Sequence, residues 1–463
     1  MRKAMAWGIQ AGLLGLLAAA AMGLLLGLLP APAAGQSMAQ DATRSTAGDA
    51  TLKRLVFEAL SANPDLAAAR SRVEAARAER FHAALDLAPA VTASSGYTRQ
   101  RMAGAAFPVP GDRLPDQSLW EAGLRLSWEV DVFGRGRRAL EARGALADAA
   151  EEDVDDAAVL LSSAVAGAYY HLLGEEDRLA VARRNASNQE ATLQLTRDRL
   201  DAGRGTALDT ERAQAQLSST LAAIPTLEAS VTAARNRLAV LLGRAPGDFT
   251  ETVGPSGPLP DPAVAFATSA PGAFGDLRDL RPDVRGAERR VDAASAGVSA
   301  ARSGYLPRIS LVGAAGYTAG ALGDLGASGT PRYAVGPVLS WPLLDLGRVK
   351  ADVDHARATR REAVARFEGT VLRAQEEMET TAVAYAAALD RLRHLEDAAR
   401  ASERAAELVR LRFVEGATDF LEVLDAERRL LEAQDRLAAG RAEAAEALVA
   451  GKRARGGFVG EGR

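Results

Sequence analysis

The chain has 463 residues, room for two or three ordinary domains or one long repeated one. Its 56 basic and 60 acidic residues nearly cancel, which excludes the bulk basic field of a nucleic-acid binder. Cysteine is absent, so disulfides, thiolate metal sites, a cysteine nucleophile and an acyl anchor on cysteine are excluded as well.

At the N-terminus, Arg2 and Lys3 lead into the uncharged AGLLGLLAAAAMGLLLGLL (11–29) and then PAPAAGQS. That order of basic, apolar and small residues predicts a secretory signal over 1–34, cut near Ala33 or Ala34. The competing reading is an uncleaved anchor, since the apolar run is long enough to span a bilayer. No comparable run follows, so later membrane contact is not expected to be a helix.

The rest is a tandem repeat: 35–250, a Pro/Gly-rich linker at 251–275, 276–452, and a tail at 453–463. NPDLAAARSRVEAARAERF (63–81) parallels RPDVRGAERRVDAASAGVS (281–299). Pro64 and Pro89 are spaced as are Pro282 and Pro307, while Trp128 and Gly134 correspond to Trp341 and Gly347. Further on, RLDAGRGTALDTERAQAQL (199–217) parallels RFVEGATDFLEVLDAERRL (412–430). Each half reads helix, two strands, very long helix, glycine turn, helix.

Strands are expected at about 90–101 and 119–133, and again at about 308–319 and 333–344. From Trp120 to Val132 the even positions are Trp, Ala, Leu, Leu, Trp, Val and Val; the odd ones from Glu121 to Asp131 are Glu, Gly, Arg, Ser, Glu and Asp. Such alternation sets one face against an apolar phase and the other against water. In the second half Tyr333, Val335, Leu339, Trp341 and Leu343 share a face, and Pro337 is awkward for a paired strand. Strands of about ten residues can cross a bilayer at barrel tilt, but four leave open edges and membrane barrels need about eight or more. Oligomerisation is therefore expected, with no copy number implied. The long helices, about 135–202 and 348–415, lack proline and are dominated by Ala, Leu, Glu and Arg.

Gly134-Arg-Gly136-Arg-Arg-Ala139 fits a dinucleotide-binding signature. It is rejected because a Rossmann strand reads apolar throughout, the helix after it is too long for a crossover, and the repeat copy drops the second glycine. Gly134 and Gly347 are read instead as releasing the chain from strand to helix. His82, His171, His355 and His394 stand singly, so no metal site is expected, and no reactive constellation or cofactor motif suggests an enzyme.

LSWEVDVFGRGRRALEA (126–142), IPTLEASVTAARNRLAVLLGRAPG (224–247), DLRDLRPDVRGAERRVDAA (276–294), LPRISLVGAAGY (306–317), WPLLDLGR (341–348) and FLEVLDAERRLLEAQDRLA (420–438) carry a resemblance. The chain resembles the TolC-like outer-membrane efflux channels, and within them the NodT-type factors that serve resistance-nodulation-division pumps. The resemblance implies a mainly α fold with a transmembrane β part. It implies a homotrimer whose twelve-stranded β-barrel sits in outer-membrane lipid and continues as a twelve-helix periplasmic tunnel. It implies a periplasmic adaptor and an inner-membrane pump as partners. Many NodT-type members carry a lipobox cysteine; this chain does not.

The same resemblance places the periplasmic entrance at 201–212 and 414–428. Gly203 and Gly416 match its turns, where an adaptor docks, and Trp128, Gly134, Trp341 and Gly347 mark the barrel-to-tunnel joints. Glu422 and Asp425 match two acidic positions lining the closed entrance, and their i, i+3 spacing puts both on one helix face. Asp209, aligned with Glu422, matches a position that holds the closed state, and Arg212 aligns with Asp425 as a candidate ion-pair partner. The leading function is a passive exit duct for small molecules. The alternatives are the outer-membrane part of type I protein secretion and a non-conducting coiled-coil scaffold.

Overall fold

Proline starts the paired helix of each half. In a computed structural model, which describes residues 50–101, 116–251 and 276–457, α1 (Ala50–Ala62) stops at Asn63. There the Asn63 side chain accepts from the Asp65 and Leu66 amides while Pro64 opens α2 (Pro64–Leu85). That cap satisfies two of the orphan donors of a helix start, and proline at the first position forfeits nothing. Pro282 likewise opens α6 (Pro282–Arg302), without a side-chain cap, after the short α5 (Asp276–Leu280). The predicted signal, the tip of the first hairpin, nearly all of the linker and residues 458–463 lie outside the described residues.

Four strands form one antiparallel sheet in the order β1 (Ala90–Gln100), β2 (Gln117–Val130), β3 (Arg308–Ala319), β4 (Pro331–Ser340). The two hairpins of the repeat thus join through β2 and β3, leaving β1 and β4 as open edges. The registers run without a bulge, so face and hydrogen-bonding direction alternate strictly along every strand. Trp120 faces Tyr97 on one side and Ala319 on the other. One face therefore collects Val91, Tyr97, Trp120, Leu124, Leu126, Trp128, Ile309, Leu311, Tyr317, Tyr333, Val335 and Leu339. The opposite face carries Thr92, Ser94, Thr98, Glu121, Arg125, Ser127, Glu129, Arg308, Ser310, Thr318 and Arg332. Tyr333, Val335 and Leu339 are 85, 68 and 65 % exposed, so none of the described residues of one chain covers the apolar face of β4.

Pro337 fits because of where its nitrogen points. The Thr318 amide donates to the Thr330 carbonyl at 2.9 Å, so even-numbered residues of β3 and β4 bond to each other across this pair. Pro337, opposite Leu311, and Pro331, opposite Tyr317, turn their nitrogens to the open edge and cost the sheet no bond.

β4 ends earlier than the alternation predicts, at Ser340 rather than near 344. Pro342 interrupts the pattern: the Leu343 amide turns back to Trp341 O and the Asp345 amide to Pro342 O. Trp341 and Leu343 therefore lie beyond the strand. β2 likewise ends at Val130, where the Val132 amide closes on Val130 O, instead of near 133.

Below the sheet run the two long helices, α3 (Arg135–Asp201, 67 residues) and α7 (Leu346–Val414, 69 residues), each about 100 Å at the usual helical rise. Each doubles back into a shorter helix, α4 (Ala207–Leu241) and α8 (Phe420–Ala454). Near the sheet the helices lie in the order α2, α3, α6, α7, and farther down α4, α3, α8, α7. The main core lies midway, where Leu52, Leu55, Val56 and Ala59 of α1 meet Val165, Ala166, Tyr169 and Leu172 of α3 and Leu238 and Leu242 at the end of α4. One stretch of α3 is long and apolar enough to cross a bilayer, which the sequence reading did not anticipate. Half of that stretch is buried inside the protein, so α3 uses its apolar length as core.

Candidate entrance, junctions and channel wall

Both helical hairpins turn by the same device. Gly203 (φ 71°) and Gly416 (φ 76°) adopt the left-handed conformation that costs glycine nothing. Their amides return to Leu200 O and Phe413 O, and the next amides, Arg204 and Ala417, return to Arg199 O and Arg412 O. These paired bonds satisfy the carbonyls left over at a helix end.

The acidic residues predicted for the entrance sit just past these turns. Thr206 caps α4, its hydroxyl accepting from the Asp209 amide and donating to the Asp209 carboxylate at 2.7 Å. In the second hairpin Thr206 is matched by Asp419, and Thr418, one residue earlier, donates its hydroxyl to the Glu422 carboxylate. Asp209 and Glu422 are thus each held by a threonine at the first turn of the returning helix. Asp425 is less bare than its spacing suggests, because Arg428 and Arg429 bind its two oxygens at 2.9 and 2.8 Å. Arg212, predicted as an ion-pair partner, makes no ion pair among the described residues. No hydrogen bond or ion pair described within one chain joins Asp209 or Arg212 to Glu422 or Asp425.

The two hairpins are instead clasped by residues that sequence reasoning missed. Arg199 of α3 lays its guanidinium over the Phe413 ring, 4.4 Å from the centroid, and donates to Phe413 O. A cation at the C-terminus of α7 meets the negative end of that helix. Phe413 packs on Phe420, with Val423, Leu193, Ala213 and Leu217 completing a small core. Deeper in, Glu427 is 5 % exposed and accepts from Arg410 at 2.7 Å and from Thr192 at 2.8 Å. Arg178–Asp435 and Asn185–Gln434 follow along the same seam. On α3 the positions Arg178, Asn185, Thr192 and Arg199 recur every seven residues, a period visible in the sequence; their partners on α7 and α8, 214 to 257 residues away, are not.

The strand-to-helix junctions repeat less fully. The Trp128 indole donates to Leu87 O at 2.8 Å, and the Trp341 indole to Tyr305 O at 3.1 Å. Each carbonyl stands two residues before the junction proline, Pro89 or Pro307, so both tryptophans pin the incoming strand to the outgoing one. The glycines differ. Gly134 (φ 80°) caps α3 in the left-handed conformation and hands the chain from strand to helix. Gly347 lies inside the first turn of α7 without a positive φ, so its predicted releasing role is corrected: Pro342 and Asp345 make that turn. At the first junction the Asp131 carboxylate accepts from the Gly136 and Arg137 amides. Burial raises the Asp131 pKa, but these amides and the Arg137 side chain hold it below the ordinary value.

The polar face of the sheet is the candidate wall of a water-filled bore. Arg332 reaches across β3 to Glu121 at 2.8 Å, over Gly316, which lies beside Arg332 in the register. A side chain at Gly316 would strike Ala122 O at 2.3 Å. Lower down, Glu129 accepts from two guanidinium nitrogens of Arg135, at 3.0 and 2.8 Å.

Two stretches, 55–244 and 274–457, match the family model described as outer membrane efflux protein. The chain is 33 % identical to the outer membrane protein OprJ of Pseudomonas aeruginosa, over 90 % of its own length and 86 % of that protein. It is 30 % identical to nodulation protein T of Rhizobium leguminosarum, over 84 % of its own length and 82 % of that protein. Among solved structures it is similar to the outer-membrane channel OprN, with a TM-score of 0.80 and 38 % identity over 91 % of this chain and 92 % of that one.

Proposed function

The chain belongs to the outer membrane efflux protein family, and on that footing we propose the assembly through which it works. It is an outer-membrane channel, the exit duct of an efflux system. In our reading three chains close one barrel, β4 of each pairing with β1 of the next, and their helices close a tunnel beneath it. A periplasmic adaptor seats on the turns at Gly203 and Gly416 and couples the duct to an inner-membrane pump of the resistance-nodulation-division class.

One observation carries this reading. All five aromatic residues of the strands and most of their large aliphatic ones lie on one side, with Leu119, Val312 and Val338 on the other, and the sheet keeps two open edges. Hydrocarbon tolerates no unpaired strand edge, so a lipid-facing sheet of four strands has to be completed by copies of itself. A scaffold without a lumen would gain nothing from Tyr333, Val335 and Leu339 on an uncovered face.

In this reading Glu422 and Asp425 ring the closed entrance and favour cations, while Asp209 helps to hold the closed state. Because Arg428 and Arg429 already occupy Asp425, Glu422 supplies most of the field. Single-channel conductance in a planar bilayer is the test. The wild type should give small, cation-favouring steps, and Glu422→Ala/Asp425→Ala larger and less selective ones, with Glu422→Ala alone accounting for most of the change. No steps from folded, inserted protein would overturn the duct; unchanged selectivity in the double variant would overturn the entrance.

A further inference from the structure

On the polar face of the sheet, Glu121 is neutralised by Arg332, and Glu129 by Arg135 from the start of α3. Two charges remain. Arg125 and Arg308 are exposed and have no hydrogen-bond or ion-pair partner among the described residues. Arg308 lies at the foot of β3, whereas Arg125 stands well inside β2, five residues above its lower end at Val130. Its neighbours across the sheet are Thr92 on β1, Ala314 on β3 and, one strand farther, Ala334 on β4. These small side chains offer neither a counter-charge nor a wall, so the guanidinium is free to extend from the sheet into the water.

We propose that Arg125, in its three copies, forms a cationic ring at the waist of the barrel and selects there for anions. Small anions and molecules bearing a carboxylate or sulfonate are drawn to it, and cations are slowed. The ring is opposite in sign to the acidic entrance at the far end of the helices. It rests on the trimeric duct described above.

Dimensions support an effect at the axis. Twelve tilted strands close at a radius of about 12 Å, and an extended arginine brings its charge to within roughly 6 Å of the centre. That distance is shorter than the ~8–10 Å over which physiological salt screens a charge, and longer than the ~3 Å that applies at 1 M. The ring is therefore felt across the whole bore in dilute salt and only at its wall in concentrated salt. Gly123 and Gly316, in the next row up, add no side chain of their own beside it, and the Arg332 that crosses there is already paired with Glu121. The two glycines face each other across β2 and β3, and a side chain at Gly123 would lie 2.6 Å from Ala315 O.

A chain without cysteine allows a local test that does not depend on whether the entrance is open. Ala314→Cys, beside Arg125 on the same face, is introduced into the full-length protein in liposomes. It is then treated from the extracellular side with methanethiosulfonates bearing a sulfonate or a trimethylammonium group. At 50 mM salt the anionic reagent should react about fivefold faster relative to the cationic one than it does with a free thiol. Arg125→Gln should abolish that preference, Arg125→Lys should keep it, and 1 M salt should remove it from the wild type. A cysteine that neither reagent reaches would overturn the assignment of this face to the bore. A preference indifferent both to salt and to Arg125→Gln would overturn the ring. The wild-type salt dependence decides even if a variant fails to fold. Conductance steps from the same preparation separate loss of the ring from loss of the duct.

Discussion

α3 and α7 are the same element of the repeat, nearly equal in length, and they are buried very differently. Twenty-two residues of α3 are buried and only seven of α7. The cause is position: α3 has neighbours on both sides at every level, whereas α7 lies at the margin of the strip along its whole length. The sheet above follows the same rule, with β2 and β3 inside and β1 and β4 at the margins. Duplication supplied two similar halves, and the seam between them turned one long helix into core and left the other as a surface to be covered. Composition reflects this only faintly, since both helices are rich in alanine, leucine and charge.

The comparison is broken most directly at Tyr169, fully buried in the main core. Tyr169→Ala should cost about 3–5 kcal/mol in denaturant unfolding of the detergent-dispersed chain. A loss below about 1 kcal/mol would mean that α3 is no more core than α7.

Asp156 sharpens the contrast electrostatically. Half-buried on α3, it is pushed up to about 6, chiefly by burial and then by the Asp283 carboxylate, while Arg281 pulls it the other way and Asp153 and Glu377 add to the rise. The corresponding residue of α7 is Gly369, which has no charge to bury. Because the folded chain holds this proton more tightly than the unfolded one, the group stabilises most at low pH. Its contribution falls as pH rises from about 4 to 6 and is flat above that. A shift of this size corresponds to roughly 3 kcal/mol per chain, so Asp156→Asn should flatten this part of the stability–pH curve. An unchanged curve would show that the charge is solvated after all.

On the sheet, Val335→Arg places a charge on the apolar face of an edge strand and should cost about 2–4 kcal/mol if that face meets the middle of a bilayer. Folding into lipid vesicles measures it, and a neutral result would return the face to water. The smallest effect is expected on the margin itself. Leu408 of α7 is 61 % exposed in one chain, so Leu408→Ala should shift unfolding of the dispersed chain by less than about 0.5 kcal/mol.

Much of this architecture is legible in the sequence because its signals are local. The alternation around Trp128, the prolines that start α2 and α6, and the glycines at 203 and 416 each state a backbone conformation within a few residues. Arg125 was already on the watery face by its odd position. The rest depends on distance or on neighbours. The clasp of Arg199 on Phe413, the Arg410–Glu427–Thr192 node and the pairing of Asp425 by Arg428 and Arg429 follow from which helices meet and how their side chains turn. Gly347 misled because an internal alignment transfers residue identity without transferring φ, and Leu343 because alternation continues past the proline that ends the strand.

Pro331 and Pro337 leave the outer edge of β4 with amide donors only at Tyr333, Val335 and Leu339, whereas the outer edge of β1 contains no proline at all. Two β4 edges meeting face to face would lack donors on both sides, so a two-fold pairing through this edge is penalised. Its better match is the unlike edge of another copy. Contacts of that kind run head to tail, and a head-to-tail contact either closes into a ring or continues without end. Two missing protons on one strand thus weigh against a dyad through this edge and towards rotation about a central axis.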